Sequence, residues 1–271
     1  MLPNDGPPAS GRRTEDLAAL LDAADRDRRP LPRPQHWVGT TEEAYAVQRD
    51  AVALRSARLR SPRVGYKVAL TSAAAQSALF CDRPAAGELL AADVRPCAAS
   101  VPVSSVFSPL VEVEVVFRLR RDLEPGAAVD DVVAGADVVA GLECPDSRYA
   151  DWFGGSYPAL PLQAVVSDDC LAGLLVLGQI WLPADSLDLS QVTAVLWVGD
   201  EVVAEGDAGN VLDHPASAVV WLNDHLAGQG IPLRAGTLVS SGTLTPPVVF
   251  PQGTVRAELS AGLGAVWATL A

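Results

Sequence analysis

The sequence predicts an α+β protein in which a small helix-rich N-terminal region is followed by a β-rich domain. Before residue 96, apolar residues recur at helical spacing, with one short strand-like run among them. After Pro96, apolar β-branched runs alternate with Gly, Pro and Asp turns, and one helical pattern interrupts them. Many strands with few helices between them argue against a doubly wound parallel sheet.

The N-terminal region begins after a tail. Residues 1–13 are polar and rich in Pro and Gly, which predicts a disordered tail and leaves 14–95 for the helix-rich region. A stripe of leucines predicts a first helix from Glu15 to Arg28. A second helix is predicted to start at Thr40, because Thr40 and Glu43 fit a capping box.

A short strand and a third helix complete this region. The apolar run from Val64 to Leu70 predicts the strand. Thr71 and Ser72 can cap a helix that continues to about Phe80.

The β-rich domain is expected to span residues 96–271. Gly199-Asp200 has the form of a two-residue hairpin turn. One helix is predicted after Asp213, which can cap it, with Pro215 near the first turn. The candidate strands are Val111–Leu119, Val138–Glu143, Leu174–Trp181, Val192–Val198, Glu201–Ala204, Thr237–Ser241, Thr254–Leu259 and Ala265–Leu270.

Charge and composition exclude two classes of binding partner. The 271 residues contain 20 Lys and Arg against 33 Asp and Glu, a formal net charge of −13. Such a chain repels phosphates and anionic lipids, so we expect no nucleic acid and no membrane as a partner. The N-terminus has no apolar signal segment. The four cysteines lack paired spacing and are expected to be free thiols. These features predict a cytoplasmic protein.

Three carboxylates could bind a metal ion. Glu112 and Glu114 lie two residues apart on a predicted strand, so both point to one face, roughly 7 Å apart. Glu143 ends another apolar strand. Carboxylates that converge from strands form a hard-oxygen site suited to Mg²⁺ or Mn²⁺. The alternative is a half-exposed strand whose glutamates face water.

Lys67 is the second candidate, because it lies in an otherwise apolar strand. A buried lysine is usually paired or functional, and here it could serve as a proton donor or electrostatic partner beside a metal-bound anion. The alternative is an edge strand with Lys67 pointing to solvent. The histidines, His36, His214 and His225, have no partner at metal-ligand spacing.

Five segments occur in order along the chain: GYKVALTS at 65–72, VEVEVVFRLRRDL at 111–123, GLECPDSRYADW at 141–152, HPASAVVWL at 214–222 and PLRAGTLVSSGTL at 232–244. Together they resemble the 2-keto-4-pentenoate hydratase and 4-oxalocrotonate decarboxylase family of the fumarylacetoacetate hydrolase superfamily. The resemblance covers residues 15–271 and implies that the β-rich domain has a fumarylacetoacetate-hydrolase-like fold.

The resemblance also implies a chemistry. Glu112, Glu114 and Glu143 would hold Mg²⁺ or Mn²⁺, which binds a 2-oxo acid and stabilises its enolate. A hydratase of this family adds water to a dienol such as 2-hydroxypenta-2,4-dienoate. A decarboxylase removes the distal carboxylate of a 2-oxo-enedioate as CO₂.

Further residues receive roles from the same resemblance. Lys67 would lie near the substrate carboxylate or a transferred proton. Asp82 would help to move protons or orient water, with a turn residue before a proline as the alternative. Four residues are expected to bind substrate, although a buried strand explains the last two equally well: Leu70, Leu171, Ser241 and Thr243.

One segment departs from the family pattern, which usually contains Ala-Asp-Asn-Ala-Ser-x-Gly where this chain has 167–173. The expected asparagine is Asp169 and the expected serine is Leu171. The glycine expected after Lys67-Val68 is Ala69. Exchanging a pocket hydroxyl for a bulky apolar side chain should change which substrate fits.

Several activities stay open. The leading hypothesis is a metal-dependent hydratase or decarboxylase. An acylpyruvate C–C hydrolase needs a base to activate water, often a Glu-His pair, and no histidine closely precedes Glu112. A non-catalytic subunit of the same fold is the remaining alternative. We expect a homo-oligomer that binds a small 2-oxo acid and could form a complex with a homologous enzyme.

Overall fold

Two β-sheets and six α-helices make up the residues that the computed structural model describes, which are 10–34, 39–155 and 157–271. The helices are α1 (Ser10–Asp27), α2 (Thr41–Leu59), α3 (Ala73–Ala78), α4 (Val129–Ala134), α5 (Leu162–Ser167) and α6 (Pro215–Ala227). The strands are β1 (Arg63–Ala69), β2 (Ala85–Leu90), β3 (Val94–Pro96), β4 (Ala99–Val101), β5 (Leu110–Leu119), β6 (Ala136–Cys144), β7 (Leu174–Leu177), β8 (Leu182–Pro183), β9 (Thr193–Val198), β10 (Glu201–Asp207), β11 (Leu238–Thr243), β12 (Val248–Val249), β13 (Gly253–Leu259) and β14 (Gly264–Leu270).

The larger sheet contains both parallel and antiparallel strand pairs. Its strand order is β2-β1-β11-β5-β6-β7-β3, with β12 beside β5 and β8 beside β6. The smaller sheet has the order β10-β9-β13-β14-β4. Strands β1 to β3 come from the region predicted to be helix-rich, yet they belong to the same sheet as β5 and β6. The boundary near residue 96 therefore does not separate two sheets.

Helix ends follow local capping chemistry. The predicted box at the start of α2 is present, with Thr40 and Glu43 hydrogen-bonded to each other's backbone N–H. Ser72 caps α3 by accepting from the backbone N–H of Ala75. The prediction for α6 is wrong by one residue, because Nδ1 of His214, and not Asp213, accepts from the helix N-terminus.

Several elements differ from the sequence predictions, and some predicted residues fall outside the described ranges. Helix α1 starts at Ser10, inside the predicted tail, while residues 1–9 and His36 lie outside the described residues. The strand predicted for Leu174–Trp181 ends at Leu177. Strand β2 escaped prediction because its sequence, AAGELL, lacks β-branched residues.

Two hydrophobic clusters organise these elements. The larger cluster contains buried side chains from both sheets and from α6, including Phe117 of β5, Leu222 of α6 and Val255 of β13. The second cluster joins helices α1 and α2 to residues 149–171, a segment that includes α5. It therefore anchors the loop after β6 against the N-terminal helices. No helix in the described ranges is both long and apolar enough to cross a membrane.

A buried ion pair holds the turn that follows α5. Arg148 and Asp168 are 9% and 2% exposed, and their side chains form an ion pair. Arg148 also donates to the carbonyl oxygen of Ala172 at 2.7 Å. It therefore binds both ends of the turn, Asp168 and Ala172. The three residues between, Asp169–Leu171, all have positive φ, at 54°, 48° and 63°. Left-handed conformations cost non-glycine residues about 1–2 kcal/mol each, so this turn needs such support.

We therefore expect Arg148→Met to destabilise the fold by about 3–5 kcal/mol, because it leaves a buried carboxylate without its partner. Urea unfolding followed by circular dichroism measures this change. The control is Arg26→Met, which removes an ion pair with Asp27 whose side chains are both 54% exposed. The control should leave the unfolding midpoint unchanged. Equal midpoints for both variants would show that the Arg148 pair does not hold the turn.

Candidate metal centre

Adjacent strands bring the three predicted carboxylates together. Glu112 and Glu114 lie on the same face of β5, and the register of β6 sets Glu143 directly opposite Glu112. One oxygen atom from each residue lies within 4.8 Å of the other two. The sheet therefore gathers donor atoms from distant parts of the chain into one cluster.

Strand β11 positions Glu114. Its Oε2 accepts a hydrogen bond from Oγ of Ser240 at 2.6 Å and another from the backbone N–H of Gly242 at 2.9 Å. Gly242 has a φ of 104°, and a Cβ atom there would lie 2.3 Å from Oγ1 of Thr71. Only glycine can bring this N–H to the carboxylate without displacing Thr71.

Three buried oxygens of the cluster have little or no hydrogen bonding. Glu114 and Glu143 are each 1% exposed. Among the described residues, no hydrogen-bond donor reaches Oε1 of Glu114 or Oε2 of Glu143, while Oε1 of Glu143 has the Lys67 ammonium 3.0 Å away. Buried carboxylate oxygens without donors are costly, and a bound cation would remove that cost.

Lys67 supplies the cation that faces the cluster. Its Nζ lies 3.0 Å from Oε1 of Glu143, and it donates a hydrogen bond to the carbonyl oxygen of Cys170 at 3.0 Å. Burial alone would lower the pKa of Lys67, but Glu143, Glu112 and Glu114 outweigh it and raise this pKa. The side chain therefore stays protonated at neutral pH.

The charges of this cluster do not balance. Three carboxylates and one ammonium give −3 + 1 = −2 when all are ionised. Burial, together with the charge of Glu143, raises the pKa of Glu112 to about 7. Burial, with Glu143 and Glu112, raises the pKa of Glu114 well above its usual value. A cluster of hard oxygen donors with an excess of two negative charges fits a divalent cation.

A cavity of about 550 Å³ opens beside the cluster. Lys67 and Glu112 line it on the metal side. Three of the predicted substrate-binding residues also line it: Leu70, Leu171 and Thr243. Their contact with substrate stays a prediction.

Two predicted residues are not brought to the cavity. The side chain of Asp82 is 82% exposed and pairs with Arg83 at 2.9 Å. Ser241 is fully buried but lies outside the cavity lining. Neighbouring residues on a strand point to opposite faces, so Ser240 faces Glu114 and Ser241 does not. These placements do not support roles for Asp82 and Ser241.

Sequence reasoning missed the groups that hold the cluster in place. Strand alternation could have identified Ser240, because it shares a face with the glycine that binds Glu114. The carbonyl of Cys170 carried no signal, since a left-handed turn without glycine is not predictable from composition. Lys67, the only lysine in the chain, had been identified from its place in an apolar strand.

Buried carboxylates beside a lysine and an open cavity are features of a metal-dependent enzyme of α+β fold. A family model described as the fumarylacetoacetate (FAA) hydrolase C-terminal region matches residues 98–271. The chain belongs to this family, which confirms the fold class and the resemblance inferred from sequence.

Relatives and solved structures agree with this assignment. A 2-keto-4-pentenoate hydratase from Paraburkholderia phymatum is 33% identical over 95% of this chain and 97% of its own length. A 2-oxo-hept-4-ene-1,7-dioate hydratase from Escherichia coli is 31% identical over 88% of this chain and 90% of its own. A 4-oxalocrotonate decarboxylase from Pseudomonas putida G7, solved with magnesium and adipate, superposes with a TM-score of 0.88 at 26% identity, over 98% of this chain and 100% of that one.

We expect metal affinity to fall at low pH, because protons compete with the cation for the carboxylates of Glu112 and Glu114. The association constant for Mn²⁺ should drop at least about tenfold for each pH unit below 7, since each protonated carboxylate that binds the cation releases one proton. Calorimetric titration between pH 5.5 and 8 measures this slope. A matched variant, Glu258→Gln, removes a half-exposed carboxylate elsewhere and should keep the same slope.

The same pKa shifts set the stability of the metal-free protein. The folded state holds more protons than the unfolded state between about pH 4.5 and 7, so stability should fall as pH rises through this range. Added Mn²⁺ should therefore stabilise the protein more at pH 8 than at pH 5.5. An affinity that does not vary with pH would show that the carboxylates are not the ligands.

Proposed function

We propose that this protein is a divalent-metal-dependent hydratase that acts on a 2-hydroxy-2,4-dienoate, the enol form of an unsaturated 2-oxo acid. The observation that carries the proposal is the Glu112–Glu114–Glu143 cluster, which with Lys67 has two excess negative charges when fully ionised and borders the 550 Å³ cavity. The hydratases among its relatives support the choice of reaction.

The three carboxylates would hold Mg²⁺ or Mn²⁺. When bound, such a cation polarises a carbonyl oxygen as a Lewis acid and stabilises negative charge that develops there. Glu114 is the most fixed ligand, because two hydrogen bonds orient its other oxygen. Lys67 holds Oε1 of Glu143 by an ion pair, and Oε2 of the same carboxylate has no donor among the described residues.

Lys67 is proposed to bind and protonate the substrate. Its ammonium group has three N–H donors, of which one binds Cys170 and one faces Glu143. The third can donate to a substrate oxygen or relay a proton, since Lys67 lines the cavity. In the overall reaction, carbon 5 gains a proton as the 2-hydroxyl group loses one. Water oxygen then adds to carbon 4, and a proton is added at carbon 3.

A decarboxylase of a 2-oxo-enedioate is the second candidate, favoured by the similarity to the Pseudomonas putida enzyme. An acylpyruvate hydrolase has less support, because no histidine occurs among the described residues that line the cavity. A non-catalytic role is disfavoured by the intact carboxylate cluster. The cytoplasmic location, the homo-oligomer and the complex with a homologous enzyme stay predictions.

We expect Glu143→Gln and Glu112→Gln each to lower Mg²⁺-dependent turnover of 2-hydroxypenta-2,4-dienoate by at least about 10³-fold, because a neutral ligand binds the cation less strongly. Loss of dienol absorbance and a product heavier by one water molecule report the reaction. Circular dichroism checks the fold, and Glu258→Gln serves as the matched control. If both cluster variants keep full turnover, the assignment of the metal ligands is wrong.

We expect Lys67→Met to lower turnover by about 10²–10⁴-fold without weakening Mg²⁺ binding, since it removes a proton donor and a charge that repels the cation. Because Lys67 is the only lysine, ¹⁵N-lysine labelling gives one side-chain resonance. In the metal-free protein this signal should remain that of a charged amine at pH 10.5, the usual lysine pKa. Mg²⁺ should lower the pKa of Lys67 by neutralising the carboxylates.

Unchanged turnover of Lys67→Met would remove Lys67 from the mechanism.

A further inference from the structure

The cavity beside the metal centre carries charge on one side only. Among the described residues that line it, the charged side chains are Lys67 and Glu112, and both belong to the metal centre. No arginine lines the cavity within the described ranges, although the chain contains 19 arginines beside its single lysine. A substrate group far from the metal centre therefore meets no cation from the described residues of the lining.

One wall of the cavity is apolar. Six of its lining residues belong to the second hydrophobic cluster, where they pack against each other and against the N-terminal helices: Leu70, Leu110, Trp152, Phe153, Val165 and Leu171. Leu171 stands where the family pattern led us to expect a serine hydroxyl. This wall therefore offers contact area and no hydrogen-bonding side chain other than the Trp152 indole, which donates to the carbonyl of Ser108.

Other residues that line the cavity are polar but uncharged, and part of their hydrogen-bonding capacity is already used. Asn210 donates from Nδ2 to the carbonyl of Leu244 at 2.8 Å. Thr243 donates from Oγ1 to the carbonyl of Thr245 at 2.7 Å. A second carboxylate on the substrate would face these neutral groups without a positive partner, which is unfavourable for a buried charge.

The size of the cavity also favours a substrate with an apolar substituent. A volume of about 550 Å³ lies within the range of sites that enclose drug-sized ligands. The five-carbon dienoate used by small-substrate hydratases has eight non-hydrogen atoms and leaves much of this space empty. An apolar substituent would fill it and gain about fourfold in affinity for each buried methylene group.

On the basis of the proposed hydratase function, we propose the class of substrate that this site selects. It is a 2-hydroxy-2,4-dienoate with a single carboxylate, bound at the metal centre, and a bulky apolar substituent at carbon 5. The apolar wall, with Leu171 as its added residue, selects this substituent. Dienedioates carry a second carboxylate at that end and are disfavoured, because the described lining residues there include no cation.

The test compares two substrates of matched shape. In 2-hydroxy-6-methylhepta-2,4-dienoate an isopropyl group occupies the place that a carboxylate has in 2-hydroxyhexa-2,4-dienedioate. We expect kcat/KM for the branched dienoate to exceed that for the dienedioate by at least about 100-fold, with Mg²⁺ present. It should also exceed that for 2-hydroxypenta-2,4-dienoate by about tenfold or more. A preference for the dienedioate would overturn the proposal.

Variants locate the preference in the wall. Leu70→Arg places a cation at a half-buried position of the cavity and should reduce the preference for the branched dienoate by at least tenfold. Leu171→Ser should reduce it by a smaller factor, through lost apolar contact. Leu54→Arg makes the same change as the first variant at an exposed position on α2 and should leave the ratio unchanged. If Leu70→Arg and Leu54→Arg give the same ratio, the cavity does not set the preference.

Binding of unreactive analogues separates this inference from the proposed reaction. Calorimetry with Mg²⁺ compares 2-oxo-6-methylheptanoate with 2-oxohexanedioate, neither of which can be hydrated. Tighter binding of the branched acid together with no turnover of any dienoate would support the substrate class and reject the hydratase. Tighter binding of the dioate would reject the substrate class even if the dienoates are hydrated.

Discussion

Uncompensated negative charge at the junction of two strands is the constraint on which the site depends. One oxygen each of Glu112, Glu114 and Glu143 lies within 4.8 Å of the other two, and Lys67 is the cation that pairs with this cluster among the described residues. Burial and mutual repulsion raise the pKa of Glu112 to about 7, so protons partly neutralise the cluster when no metal is bound. The fold tolerates this arrangement because a divalent cation can replace those protons.

The helices contribute to the chemistry through packing. The second hydrophobic cluster ties α1, α2 and α5 to residues 149–171, and the Arg148–Asp168 pair fixes the turn that follows. That turn supplies the carbonyl of Cys170 to Lys67 and the side chain of Leu171 to the cavity. The same supports therefore position a group of the metal centre and one wall of the substrate site.

The sequence predicted the elements whose signals are local. Strand alternation around Glu112 and the capping box at Thr40 were sufficient to predict β5 and the start of α2. Strand β2 was missed because its pairing with β1, and not its residue types, makes it a strand. The supporting role of Ser240 and the exposed position of Asp82 depend on tertiary placement, which the pattern along the chain does not contain.

The central claim is that the three carboxylates bind one divalent cation. A crystal grown with Mn²⁺ and examined by anomalous diffraction tests this most directly. The account predicts one strong anomalous peak with an oxygen of Glu112, Glu114 and Glu143 each at about 2.1–2.2 Å. A crystal grown in saturating Mn²⁺ that shows no anomalous peak at this cluster, or shows its strongest peak elsewhere, would contradict the account.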